Sequence, residues 1–223
     1  MRTAVVAAPS NRADWLVPAA LIALSFIPVL AGTFRLFQLG SGAAITPDNA
    51  RFFAAPVPVV LHLVSVTIYC LLGAFQFAPG FRRRRPDWHR AAGRLLIACG
   101  LASALTGLWM TWSYPYAPPD GLTLFIIRQV VGAAMLVSIL MGLAAIRRRD
   151  FTQHRAWMIR GYAIGLGAGT QVVTSMSWLL LVGKQDEAAR AVVMGGGWVI
   201  NVIVAEWIIR RRPVPARRLA VAS

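Results

Sequence analysis

Lysine is nearly missing from this chain: Lys184 stands alone among 23 basic residues, and the rest are arginine. Acidic residues are few as well, eight in 223, so the formal net charge is +15. Only 14% of the residues are charged while 57% are hydrophobic, and the mean hydropathy is +0.61. That balance cannot supply the polar surface that a water-soluble domain of this length needs. Two cysteines, Cys70 and Cys99, lie inside apolar runs with no CxxC partner. They exclude a disulfide framework and read as small apolar packing residues. Three histidines, His62, His89 and His154, cannot form one metal site, because His62 lies about 20 Å from the level of the other two if the helices are straight. No nucleophile–base pair, phosphate loop or paired carboxylates are present, so hydrolase and kinase chemistry has nothing to carry it.

What the chain does have is long apolar runs separated by bursts of arginine. A nucleic-acid surface needs its basic residues on one folded face, with polar or aromatic readers between them. Here they fall between apolar stretches of 18 or more residues, which is the pattern of membrane topology and not of nucleic-acid binding. Two of the bursts share one construction. Residues 77–94 read FAPGFRRRRPDWHRAAGR, and residues 144–160 read AAIRRRDFTQHRAWMIR. In each an arginine run, an aspartate and a His-Arg pair end one apolar run and open the next, so the chain contains a duplicated helical hairpin. The bursts also suit anionic lipid headgroups as partners.

The fold class expected is an all-α integral membrane bundle of six transmembrane helices, at about 15–39, 56–78, 91–113, 122–146, 156–182 and 191–209. Residues 1–14 are read as a cytoplasmic tail, 15–209 as a single transmembrane domain and 210–223 as a basic cytoplasmic tail. The first helix is expected to be uncleaved, since a signal peptide has a shorter apolar region. Gly161, Gly165 and Gly169 in the fifth helix, and Ala134, Ser138 and Gly142 in the fourth, form small-residue faces at fourfold spacing that are expected to pack on each other.

Ionisable groups inside apolar runs mark the candidate sites, because each costs about 3 kcal/mol at the membrane centre unless partnered. Arg94, Arg160 and Glu206 lie about 5 to 6 Å from the inner boundary and, with Gln76 and Asn201, form an expected inner polar cluster. His62 and Arg128 lie about 8 to 9 Å from the outer boundary, at equivalent places in the two hairpins. With Gln129 and Gln171 they are candidates for a ligand niche open to the outside. His89 and His154 stand at the inner mouths of the third and fifth helices. Either they cap those helices at the headgroup level, or they ligate one b-type haem with nearby arginines pairing its propionates. Arg128 stands where a second pair would need a histidine, so at most one haem is expected. Two functions are therefore open: binding, and as an extension carrying, a small ligand or lipid, or redox chemistry with a haem or quinone between helices.

The stretches LHLVSVTIYCLLGAFQF, WHRAAGR, QHRAWMIRGYA and NVIVAEW, in that order over about residues 57–209, resemble the bacterial membrane protein family known only as DUF2306. Matching positions include His62, Gly73, Gln76, His89, Arg90, Gly93, Arg94, Arg128, His154, Arg155, Met158, Arg160, Asn201 and Glu206. The chain departs from the family pattern at Leu95, where an aromatic is usual, and at Trp-Val-Ile-Asn in the sixth helix, where the family tends to carry Trp-Val-Pro-Asn. The second departure implies a straighter sixth helix. The resemblance supports membrane residence and names no reaction.

Eighteen of the 23 basic residues fall at one side of this arrangement, and that side is expected to be the cytoplasm of a bacterial inner membrane, with both termini there. Reporters fused after Arg85, Arg149 and Arg218 should read cytoplasmic, and those after Pro118 and Lys184 external. An external reading at either arginine turn contradicts the topology.

Overall fold

In the computed structural model, residues 13–211 are described; the tail at 1–12 and the basic tail beyond 211 lie outside them. Among the described residues the regular structure is helical. Helix α1 spans Ala13–Gly40 and α3 spans Pro56–Ala74, with one 3-10 turn, Phe75–Phe77, extending α3. Between α1 and α3 lies a short helix α2, Ala50–Ala54, in a stretch read from sequence as plain loop. Asn49 ties that loop down, accepting from the Thr46 amide and donating to the Ala44 carbonyl. The first arginine turn contains another short helix, α4, Pro79–Arg84. It is followed by α5 (Pro86–Ser113), α6 (Leu122–Arg147), α7 (Phe151–Gly165), α8 (Gly167–Leu181) and α9 (Glu187–Arg210).

Five segments are long and apolar enough to cross a membrane, and α7 with α8 passes as a sixth span bent by 44°. Large apolar side chains point outward all round: Phe37 is 69% exposed, Trp112 77% and Leu180 77%. A water-soluble monomer does not carry an apolar surface of that extent, whereas lipid requires it.

The expected fifth helix, about 156–182, is thus two helices broken at Gly165, Leu166 and Gly167. A break strands carbonyls that a continuous helix would satisfy, and inside lipid no water is there to replace the lost donors. Here side chains from neighbouring helices supply them. Asn201 of α9 donates from Nδ2 to the Ala163 carbonyl at 3.0 Å and accepts from the Thr170 hydroxyl at 2.6 Å, so one amide holds both halves. The Cys70 thiol of α3 donates to the Gly165 carbonyl at 3.6 Å, a role beyond packing. Helix α9 itself runs unbroken over 24 residues, in keeping with isoleucine where the related pattern has proline.

The bend decides the packing. α7 packs chiefly along α6 and also meets α9 and α3, while α8 packs on α9 and α1. Gly161 lies against Ser138 and Ile139 of α6, as the small-residue faces suggested. Gly169, beyond the bend, lies against Leu24 of α1 and not against α6, which corrects the expected single interface. At the centre, Tyr69 of α3 is clamped between Gly100 of α5 and Gly165 of α7, and each glycine stands 11 residues after the histidine of its own repeat. Tyr162 crosses the same layer, its hydroxyl donating to the Cys70 carbonyl at 2.6 Å and its ring 4.9 Å from that of Phe77.

The two arginine turns close differently. After α6 the chain makes a Schellman turn: the Arg149 amide donates to Ile146 and the Asp150 amide to Ala145, with Arg149 left-handed at φ 61°. Asp150 then caps α7 by accepting from the Gln153 amide. His89 and His154 occupy the same place in their helices, each amide donating to the carbonyl four residues back, Arg85 and Asp150.

A Cβ at Gly100 would stand 2.7 Å from both the Tyr69 ring and Ile139, whereas at Gly93, about two turns away on the same helix, it would meet nothing within 4 Å. Gly100→Ala should lower stability by about 1 to 3 kcal/mol through overpacking, and Gly93→Ala should raise it by about 0.5 to 1 kcal/mol. Thermal melts of both variants in detergent check this; equal midpoints would show that the Tyr69 layer is loose.

Candidate functional site

Because α8 leaves α6 for α1, the half of the bundle remote from the arginine turns is not filled by side chains. A cavity of about 420 Å³ lies there, lined from every spanning helix and from the turn joining α5 to α6. Its depth runs from Arg51, Tyr116 and Asp120 at the loop end to Cys70, Gly165 and Trp198 near the bend. Most of the lining is apolar, with Leu63, Val66, Phe125, Met135, Ile164 and Leu166 among it.

His62 and Arg128 both line this cavity, and so does Gln171; Gln129 does not. Gln129 is one residue from Arg128, about 100° round the helix, and it reaches the Leu108 carbonyl of α5 at 3.4 Å instead. Gln171 is 7% exposed and donates to the Met194 carbonyl at 3.0 Å, which ties α8 to α9. His62 Nδ1 stands 3.0 Å from the Ser103 carbonyl and 3.2 Å from the Thr106 hydroxyl. A carbonyl only accepts, so Nδ1 carries the proton and Nε2 presents a lone pair.

Arg128 has a partner that the sequence reading missed. Its NH1 is 2.7 Å from Asp120 Oδ2, while Arg190 Nε of α9 is 3.1 Å from Oδ1 of the same carboxylate. The Asp120 side chain is 7% exposed. One buried carboxylate therefore joins the α5–α6 turn, α6 and α9 across the loop end of the cavity. Arg51, on α2, completes this rim: NH1 donates to the Pro115 carbonyl at 3.1 Å, the guanidinium lies over the Phe52 ring at 4.7 Å, and Nε is buried without a partner among the described residues. Arg35 lies over the same ring at 4.6 Å. Burial foremost draws the Arg51 guanidinium below its usual range, Arg128 and Arg35 act in the same sense, and Asp120 opposes them.

At the arginine end the expected polar cluster is only partly assembled. Arg160 forks onto Glu206, Nε to Oε1 at 2.5 Å and NH2 to Oε2 at 3.1 Å, and Arg210 stands 3.9 Å from the same carboxylate. Arg160 also lies over the Trp157 ring at 4.6 Å. Asn201 is at the helix break, more than a turn deeper along α9, and so is not part of that pair. Arg94 is exposed and forms no ion pair among the described residues. Its helix, α5, packs chiefly on α3 and α6, whereas α7, which carries Arg160, packs on α9, so Arg94 is not brought to Glu206. Gln76 keeps a buried Nε2 with no partner among the described residues.

His154 Nδ1 is 2.9 Å from the Gly142 carbonyl of α6, so it carries the proton and Nε2 is the free nitrogen. His89 Nδ1 is buried without a partner among the described residues. Among the described residues no group of three or more His, Cys, Asp or Glu could hold a metal ion.

These features define an all-helical protein of the membrane, with duplicated hairpins and a polar-rimmed internal cavity. A family model described as "Predicted membrane protein (DUF2306)" matches residues 59–209, and the chain belongs to that family. No curated protein and no solved structure matches the chain.

Glu206 is held by two arginines in a mostly buried setting, and its side chain is 27% exposed. Breaking a fully buried pair costs about 3 to 5 kcal/mol, and partial exposure reduces that to about 1 to 3 kcal/mol. Glu206→Ala should therefore melt at lower temperature than Glu187→Ala, whose exposed carboxylate makes no ion pair among the described residues. Equal melting of the two variants would show that the Arg160–Glu206 fork adds nothing.

Proposed function

We propose that the protein binds a small, largely apolar ligand of the membrane, a lipid or lipid-like molecule, in the cavity rimmed by Arg51, Asp120 and Arg128 and lined further in by His62. The observation that carries this reading is a cavity of about 420 Å³ at the centre of one half of the bundle, apolar over most of its wall and polar at a few fixed points. That volume and that lining are those of small-molecule sites, which are usually about 300 to 1,000 Å³. The broken span forming one wall adds support, since discontinuous helices build the binding sites of many carriers. Carriage is thus an extension of the binding reading, though hairpins repeated in the same direction do not by themselves imply alternating access. The arginine bursts support a topology in which this cavity faces the outside of a bacterial inner membrane and the exposed run Arg82, Arg83, Arg84 and Arg85 lies at the cytoplasmic headgroups.

One geometric feature favours a second, redox reading. His154 is oriented by its bond to the Gly142 carbonyl with Nε2 bare, the arrangement that haem-ligating histidines adopt, and His89 is the matching residue of the other repeat. Such a site would hold one b-type haem at the arginine end; a quinone would use the cavity.

Ala168 lines the cavity, and a phenyl ring there should take up part of its volume. Mass spectrometry of solvent extracts should find a reproducible small molecule with purified wild-type protein, reduced about tenfold in Ala168→Phe at unchanged melting temperature. Identical extracts from both proteins would overturn the binding reading. A dithionite-reduced α-band in the same preparation, lost on His154→Ala, would put the redox reading first.

A further inference from the structure

The rim of the cavity carries more positive charge than it neutralises, and that imbalance deepens the proposed function, on which this inference rests. Arg128 and Arg190 share the single carboxylate of Asp120, so the trio is left with one net positive charge. Arg51 adds another, with its Nε buried and unpartnered among the described residues and only the Pro115 carbonyl as acceptor on NH1. Glu187, whose carboxylate packs at Gly121, is exposed and forms no ion pair among the described residues. A guanidinium with an orphaned, buried N–H matches a planar or tetrahedral oxyanion. Deeper in the cavity the polarity is reversed: His62 Nδ1 is committed to the Ser103 carbonyl, so Nε2 offers a lone pair that repels an anion and accepts from a donor. Below His62 the wall becomes Val66, Met135 and Ile164.

We infer that the ligand is a single-chain amphipathic anion, its carboxylate or phosphate ester held at Arg51 on the loop-end rim and its alkyl chain passing His62 toward the helix break. Head-first entry is disfavoured, because His62 presents an acceptor lone pair to the anion.

Trp198 lies at the deep end of the cavity, which makes it a reporter for the tail. The probes are ω-bromoundecanoate, ω-bromoundecyl phosphate and the neutral ω-bromoundecanol, titrated into detergent-solubilised full-length protein, with bromine quenching of tryptophan as the readout. Saturable quenching by at least one of the two anions is expected, absent in Trp198→Phe, and the tighter anion identifies the head. The alcohol should bind about tenfold more weakly. Arg51→Gln should weaken the anion about tenfold and leave the alcohol unchanged. Arg51 lies on the short helix α2 and anchors no spanning helix, and the comparison of anion with alcohol needs no variant at all. Equal binding of alcohol and anions, or indifference to Arg51→Gln, overturns the anionic class and leaves the cavity reading standing. Quenching by none of the three that depends on Trp198 overturns both.

Discussion

A backbone carbonyl inside lipid must have a donor, and the architecture of this protein turns on how one such carbonyl is served. Between Gly165 and Gly167 the fifth span breaks, and Ala163 and Gly165 lose the amides that a continuous helix would have supplied. Asn201 meets the first and, through Thr170, fixes the start of the next helix; the Cys70 thiol meets the second. With those bonds in place α8 can leave α6 and lie on α1 and α9, and the space it leaves is the cavity. Fold and candidate site are therefore consequences of the same few bonds.

The scarcity of acid in the sequence acquires a meaning at both ends of the bundle. Two carboxylates are each placed between two arginines: Asp120 between Arg128 and Arg190 near the cavity, and Glu206 between Arg160 and Arg210 at the other end. A carboxylate shared in this way removes the cost of leaving a guanidinium bare in a medium of low dielectric. It also leaves each cluster with surplus positive charge. At the Glu206 end that surplus lies on the side of the arginine-rich turns, and at the Asp120 end it faces a cavity.

The spans were legible because lipid demands long apolar runs, and their ends because arginine bursts and prolines punctuate them. Depth counting brought Arg160 to Glu206, since both are measured from the same boundary along straight segments. Depth says nothing about rotation or about which helices are neighbours, however: Gln129 is one residue, about 100° of helix, from Arg128, and Arg94 stands on α5, which packs on α3 and α6 while α9 packs on α7 and α8. The partner of Arg128 was hidden because Asp120 sits in a loop, and only the folded path of the α5–α6 turn returns it to the helix. The break in the fifth span was illegible for a different reason. Gly161, Gly165 and Gly169 read equally well as one continuous packing face, and nothing local distinguishes a glycine that packs from one that ends a helix. The signal lay elsewhere, in Asn201, a polar amide with no reason to be in an apolar run unless a backbone group there needed it.

The most direct test of this account is the thermal unfolding of Asn201→Leu in detergent, a change that keeps side-chain volume and removes both hydrogen bonds to the broken span. Leaving the Ala163 carbonyl and the Thr170 hydroxyl without partners should cost about 1 to 3 kcal/mol and lower the melting midpoint by several degrees. A variant that melts with the wild type would contradict the account, because the break and the cavity beside it would then not depend on Asn201.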